Sequence, residues 1–257
     1  MTVVEATPFW VTGAEGFIGH NMVEHLLSFG HRVIGFGRGS SNQNKSKSYT
    51  YLSGSMSSEV LKAAIEDYGV PQAIYHFAGG SSVGQSIIEP LSDFESNVVA
   101  SARLFDTVRC MCPFTPITIA SSAAVYGNKT CDPISVKLVT DPFSPYGHHK
   151  LMLEQLAKSY VEAYQMRINV LRIFSVYGAG LEKQLLFDLC TRLTKNEPSI
   201  VLGGTGEELR DWCHVNDVVR FASLLPLAKQ GEFNLYDLGS GNAVSVSKIS
   251  QKLRTIR

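Results

Sequence analysis

Phe9-Trp10-Val11-Thr12-Gly13-Ala14-Glu15-Gly16-Phe17-Ile18-Gly19 is the stretch that decides the fold. A short apolar run suited to a buried strand meets a glycine-rich turn, and the turn opens an apolar helix through Val23, Leu26 and Leu27. The glycines at 13, 16 and 19 recur every third residue. Such a turn lets backbone approach a pyrophosphate closely and aims a helix N-terminus at the anion. Glycines alone are weak support, because a tight turn with no ligand uses them too.

Outward from that turn, strands and helices alternate. Gly30 ends the first helix, and Arg32–Phe36 reads as a second strand. After a serine- and asparagine-rich loop, Tyr49–Leu52 reads as strand, Glu59–Tyr68 as helix and Ala73–Phe77 as buried strand. A long helix is expected over Asp93–Arg109, with Val98, Ala102 and Phe105 on one face. Ile117–Ala120 then reads as strand, Tyr146–Tyr164 as helix, Ile168–Ile173 as strand and Val246–Leu253 as helix. Strands separated by helices pair in parallel, with helices on both faces, so the expected class is α/β with a doubly wound parallel sheet.

Composition excludes several partners. The chain has 257 residues, enough for one substantial core or a core with a small appendage. Hydrophobic residues at 44% and charged residues at 18% suit a soluble globular enzyme. Lys plus Arg number 23, as do Asp plus Glu, and no basic run breaks the balance, so nucleic acid is a poor partner. Apolar runs fall far short of a membrane span, and the start lacks the pattern of an export signal. The five cysteines, an odd number without CxxC spacing, read as thiols in a reducing cytoplasm. No metal site is expected.

The residues after the second strand bear on the cofactor's adenosine end. An acid there binds the ribose 2′-OH of NAD. The strand runs Val33-Ile34-Gly35-Phe36-Gly37-Arg38-Gly39-Ser40-Ser41, so the acid position is Gly37 and Arg38 follows it. A guanidinium flanked by hydroxyls such as Ser40 suits a 2′-phosphate, and NADP is therefore expected over NAD. Arg38 stacked on adenine, or left in solvent, is the bland alternative.

Ser144-Pro145-Tyr146-Gly147-His148-His149-Lys150 opens a helix, with Ser144 as cap and Pro145 in the first turn. Tyr146 and Lys150 are four apart on one face. A phenol with a reference pKa of about 10 needs help to act as a base at neutral pH. A nearby ammonium, the positive helix end and an oxidised nicotinamide all favour phenolate. Upstream, Ala120-Ser121-Ser122-Ala123-Ala124-Val125-Tyr126-Gly127 follows a strand and can present a serine hydroxyl to the same substrate oxygen. His148 and His149 read as a surface or interface pair, His76 and His214 as structural, and Trp10 and Trp212 as core. Lys183 and Gln184 either reach the substrate or face solvent.

Thr12–Gly19, His76–Gly79, Asn97, Ser121–Gly127, Tyr146–Lys150, Arg172–Gly178 and Arg210–Val218 together resemble the extended short-chain dehydrogenase/reductase family, in its NAD-dependent epimerase/dehydratase branch. The resemblance implies a Rossmann-type domain over 1–175, its sheet completed by 212–240. A small substrate-binding part is implied over 176–211 and 241–257, with its sugar lid cut short at the C-terminus. It makes Tyr146 the acid/base, gives Lys150 a hold on the nicotinamide ribose, and puts Ser122 with both as catalytic. Gly13, Gly16, Phe17, Ile18 and Gly19 would bind pyrophosphate, with Ser55 and Met56 near adenine. Phe77, Ala78, Gly79, Asn97 and Ala120 would line the cofactor groove. Ser122, Ser175 and Arg210 would touch a nucleotide diphosphate sugar, Arg210 as diphosphate clamp or else in a salt bridge with Asp211. A homodimer through the two long helices is implied as well.

Departures narrow the reaction. Sugar 4,6-dehydratases of this family carry an acidic pair where this chain has Ala123 and Ala124, and methyl groups cannot serve as general acid and base. Ser55 replaces an acid common after the third strand, and Ser175 an asparagine. C4 epimerisation through a transient 4-keto sugar is the leading expectation. An NADPH-dependent 4-keto-sugar reductase is the alternative, and a non-catalytic NAD(P)-binding regulator comes behind both.

Overall fold

Each residue of Phe9–Thr12 (β1) is buried, as a strand covered on both faces requires. The computed structural model describes residues 6–39, 47–128, 134–195, 197, 199–225 and 229–255. After β1 come α1 (Phe17–Ser28), β2 (Val33–Gly37), β3 (Tyr49–Ser53), α2 (Ser58–Tyr68) and β4 (Ala73–His76). Next are α3 (Val83–Ile88), α4 (Pro90–Phe94), a π-helical turn at Glu95–Val99, α5 (Ala100–Met111), β5 (Ile117–Ser122) and a 3₁₀ turn at Ala123–Tyr126. They lead into α6 (Pro145–Tyr164), β6 (Ile168–Ile173), β7 (Ser175–Tyr177), α7 (Gln184–Thr194), β8 (Leu209–His214) and α8 (Val215–Ser223). The described chain closes with β9 (Phe233–Leu238), β10 (Ala243–Ser245) and α9 (Val246–Thr255).

Seven strands form the main sheet in the order β3-β2-β1-β4-β5-β6-β9. Every neighbouring pair is parallel, which makes this the expected doubly wound α/β fold. One face packs Val23 and Leu26 of α1 against Val218 and Val219 of α8. The other packs Leu61 of α2, Phe105 of α5 and Leu153 of α6 around Trp10, which is fully buried against Phe36. A second, three-stranded sheet, β10-β8-β7, stands apart from the first.

Chain order reverses between β1 and β4, and parallel sheets open a crevice at such a point, beyond the carboxyl ends of the strands. A cleft of about 1580 Å³ lies there. Ordinary small-molecule pockets hold about 300–1,000 Å³, so this one has room for two ligands side by side.

The helix expected over Asp93–Arg109 runs unbroken from Pro90 to Met111 but widens into one π turn. Asn97 Nδ2 donates to the Asp93 carbonyl at 3.0 Å, and Ser101 Oγ donates to the Asn97 carbonyl at 2.6 Å. Side chains that bind helix carbonyls compete with the backbone ladder, and the wider π turn at Glu95–Val99 lies across these bonds. Such turns concentrate at functional sites.

Candidate active site

The glycine turn is built for close approach. Gly13 has φ +66°, and a Cβ there would stand 2.8 Å from the Ala78 nitrogen on the neighbouring strand end. Gly16 N–H donates to the Gly13 carbonyl at 2.9 Å, which folds the turn under the start of α1. The first turn of α1 carries no acidic side chain, so its backbone N–H groups present an unopposed positive end to the cleft. Gly13, Gly16, Phe17, Ile18 and Gly19 all line that cleft.

A buried relay fixes this turn to the helical layer. Ala78 N–H donates to Thr12 Oγ1 at 3.2 Å, and Thr12 lies 2.7 Å from His76 Nδ1. His76 Nε2 is 2.8 Å from Ser101 Oγ, which donates onward to Asn97. One assignment satisfies every member: Thr12 donates to Nδ1, and Nε2 carries the proton given to Ser101. Burial, aided by the charge of Lys150, lowers the His76 pKa to about 3, so the ring stays neutral. His76 is structural, as read from the sequence. Asn97 Oδ1 is buried and has no hydrogen-bond partner among the described residues. It sits against Gly79, at the groove expected to hold a cofactor.

Tyr146, Lys150 and Ser122 meet at the carboxyl end of β5. Ser144 Oγ accepts the Gly147 N–H at 3.1 Å and caps α6, and Tyr146 N–H is anchored on Ser86 Oγ at 3.0 Å. Lys150, 4% exposed, reaches under the strand end and donates to the Ala120 carbonyl at 2.9 Å. Its ammonium stands 5.7 Å from the Tyr146 ring centre. Burial pulls the Lys150 pKa down to about 8, against Asp93 and Glu154, which favour its charge. Burial pushes the Tyr146 phenol up; a hydrogen bond from Ser122 works the other way, and Asp93 adds to the rise. Ser122 Oγ already accepts the Ala124 N–H at 3.1 Å, which leaves its own proton for the phenol oxygen. Ala123 and Ala124 line the cleft beside them.

Sequence reading missed the groups behind this trio. His149 is no surface histidine: its Nδ1 lies 2.6 Å from Asp93 Oδ2, and both side chains are largely buried. His148 is exposed. One rung of the sheet aligns Ser121, Arg172 and Asp237. Arg172 grips Glu154 through two bonds of 2.9 and 2.7 Å and donates to Tyr126 Oη, which donates to Asp237 at 2.6 Å. Ser121 donates to the same Glu154 at 2.5 Å. These partners lie far apart in the chain, and no local spacing announces them.

At the other end of the cleft, Ser55 and Met56 line the wall. Ser40 lies outside the described residues, as does Cys131. Arg38 is exposed at the cleft edge. Gly37 is crowded by side-chain ends, since a Cβ would press on the Tyr51 hydroxyl and stand 3.0 Å from Glu15 Oε2. Glu15, from the glycine turn, has swung over to the end of β2 and accepts the Gly39 N–H at 2.8 Å.

The remaining candidates sit on the second sheet and its loops. Ser175, Arg210 and Trp212 line the cleft, so Trp212 is a wall residue and not core. Arg210 is exposed, and its Nη1 donates to the Leu209 carbonyl at 3.1 Å. Asp211 turns away to accept the N–H groups of Ser240 and Gly241 at 2.7 and 2.8 Å. Lys183 Nζ crosses the mouth to Ser81 Oγ at 2.8 Å. Gln184 follows it with φ +73°, an uncommon conformation for a residue with a side chain.

Comparison with known proteins agrees with this geometry. A sequence model of the NAD dependent epimerase/dehydratase family matches residues 9–239. The UDP-glucose 4-epimerase of Azospirillum brasilense is 28% identical over 268 residues, covering 96% of this chain and 76% of the relative. Among solved structures, MoeE5 in complex with UDP-glucose and NAD is 27% identical with a TM-score of 0.85, over 98% of this chain and 82% of that one. The UDP-glucose 4-epimerase from Brucella ovis in complex with NAD is 27% identical with a TM-score of 0.86, over 96% and 81% of the two chains.

These neighbours correct the cofactor. NADP was expected from Arg38 and the absent acid at Gly37, yet both solved neighbours hold NAD. The expectation counted charge along β2 alone. In space a carboxylate does stand at that strand end, and it comes from Glu15. The cradle at Gly13, the open helix end and the unpartnered Asn97 oxygen fit a dinucleotide.

Proposed function

The chain belongs to the NAD dependent epimerase/dehydratase family, and from that premise we propose that it is a nucleotide-sugar 4-epimerase acting with NAD on a UDP-hexose. The observation that carries the reading is the meeting of half-buried Tyr146 and Ser122 with buried Lys150 on the cleft wall, with Ala123 and Ala124 beside them. A proton and a hydride can be moved at one carbinol there, and no side chain at 123 or 124 can remove water.

Bound NAD would supply a hydride acceptor at C4, return the hydride to the other face, and add positive charge that favours phenolate. Tyr146 Oη takes the C4 hydroxyl proton as the 4-keto sugar forms and gives it back as the epimer forms. Ser122 Oγ donates to the reacting oxygen or to the phenolate, whichever carries more negative charge. Lys150 holds its ammonium beside the phenol, and its bond to the Ala120 carbonyl fixes the distance. Its burial excludes water that would screen the charge. Arg210 and Ser175 line the same cleft and would grip the sugar diphosphate.

NADP had argued for net reduction by a 4-ketoreductase, and its correction removes that argument. Incubation of the purified protein with UDP-glucose or UDP-glucuronic acid and NAD tests the reading. Formation of the C4 epimer without net NADH is the expected result; stoichiometric consumption of reduced cofactor on a 4-keto sugar would replace it with the reductase. The exposed Met152 on α6, next to Val98 and Leu156, supports a homodimer across that face, which sedimentation velocity would report.

A further inference from the structure

Gly37 occupies the position from which dinucleotide-binding folds ordinarily send a carboxylate to the adenosine ribose. Here that position is taken up by two other side chains. A Cβ would meet the Tyr51 hydroxyl and approach Glu15 Oε2 to 3.0 Å, so an acid could not be accommodated without displacing both. The space is filled by a carboxylate that arrives from the opposite side, out of the glycine turn.

Two contacts hold it there, and a third bond braces the first. Glu15 Oε2 accepts the Gly39 N–H at 2.8 Å. The Gly39 carbonyl is held by Ser53 Oγ at 2.6 Å, so the acceptor's partner is itself fixed to β3. The Tyr51 phenol has its pKa raised by burial and then by its hydrogen bond to Glu15, so it remains a neutral hydrogen-bonding group beside the acid. Glu15 is nevertheless exposed toward the cleft and lines it together with Gly37 and Arg38. A carboxylate has two oxygens with about four acceptor sites, and the contacts described use only part of them.

We propose that Glu15 is the residue that reads the adenosine ribose, accepting a hydrogen bond from its 2′-OH and repelling a 2′-phosphate. The specificity-determining acid has thus been moved from the end of β2 into the glycine turn. This inference rests on the reading that the cleft binds NAD. It explains why Arg38, the cation at the same strand end, does not make the site an NADP site: a 2′-phosphate placed to meet the guanidinium would also meet the carboxylate.

The test is equilibrium binding by calorimetry, independent of turnover, with NAD, NADP and 2′-deoxyadenosine NAD as probes on the wild type and on Glu15→Gln. The glutamine keeps an oxygen that can accept the Gly39 N–H, and it removes the charge and exchanges the second acceptor oxygen for an NH2 donor. Wild type is expected to bind NAD about tenfold more tightly than the 2′-deoxy analogue, as loss of a charge-assisted hydrogen bond implies. Glu15→Gln should weaken NAD about tenfold, strengthen NADP, and nearly erase the preference for NAD over the 2′-deoxy analogue. Equal weakening of all three probes would overturn the proposal, because Glu15 would then only brace Gly39. Unchanged affinities would overturn it too. Failure of the wild type to bind either NAD or NADP would instead bring down the cofactor reading beneath it.

Discussion

At the carboxyl end of β5 the reacting groups come from that strand and the helix that follows it in the chain; at the carboxyl end of β2 the decisive charge comes from another turn altogether. Ser122 leaves β5, and Tyr146 and Lys150 share one face of α6, with Lys150 tied back to Ala120 of the same strand. At β2 the carboxylate belongs to Glu15, which reaches Gly39 across 24 positions of chain. The first arrangement is set by helix periodicity and a cap. The second depends on glycines at 37 and 39 leaving space that a remote side chain enters. Chemistry assembled within one strand-helix unit survives being read as a string, whereas charge exchanged between units does not.

Tyr146→Phe should produce the largest effect, a loss of turnover on the order of 10²–10⁴-fold, as removal of a general acid–base group implies. NAD affinity should stay within about twofold, since only a hydroxyl is removed and the ring remains. Stopped assays and calorimetry on the same preparation would report both. A comparable collapse in NAD binding would mean that the reacting end and the cofactor-holding end are not separable, and the comparison would fail.

Lys150→Met should lower turnover nearly as far, and it should also stabilise the fold. The Lys150 pKa falls from 10.5 to about 8 on burial, so the native state disfavours the ammonium. Between pH 8 and 10.5 the unfolded chain binds the proton that the folded chain releases. Stability therefore rises with pH across that window, and the cost of burying the charge is full below it. At pH 7 Lys150→Met should gain on the order of 1–3 kcal/mol in urea unfolding, an allowance made for the lost bond to Ala120. The gain should shrink toward pH 10. A variant that is less stable than wild type at pH 7 would show that the ammonium is held by its neighbours and not tolerated for function.

Gly37→Asp attacks the comparison from the other end, because it restores the acid in the place that strand-by-strand reading expects it. Overpacking against Tyr51 and repulsion from Glu15 should destabilise the protein by about 1–3 kcal/mol and weaken NAD about tenfold. Adding Glu15→Ala should recover most of the NAD affinity, since the two acids then no longer compete. Tighter NAD binding by the single variant would mean that the strand end was simply vacant.

The fold was legible because its signals are local. The buried run Phe9–Thr12, the turn at Gly13 and the Ser144 cap each act over a few residues, and helix-separated strands leave little choice but a parallel sheet. The long helix was legible too, but its π turn at Glu95–Val99 was not, because Asn97 and Ser101 side chains bind carbonyls one turn back, which periodicity does not register. His149 was misread because its partner Asp93 is 56 positions away. A signal for Glu15 did exist in the string: an acid inside the glycine turn, matched with its absence after β2. Recognising it required knowing that the two positions face each other, which only parallel pairing of β1 and β2 provides.

Arg38→Ala should have the smallest effect and bears most directly on the misreading. The guanidinium is exposed at the cleft edge, where solvent screening leaves a single charge worth little. NAD affinity should change by no more than about threefold, with folding stability within about 0.5 kcal/mol of wild type. Thermal shift and calorimetry would measure both. A tenfold loss for NAD would place Arg38 on the adenine face, and the β2 end would then read its ligand through its own residue as well as through Glu15. The contrast between the two ends of the cleft would become one of degree, with local and remote side chains sharing the adenosine site.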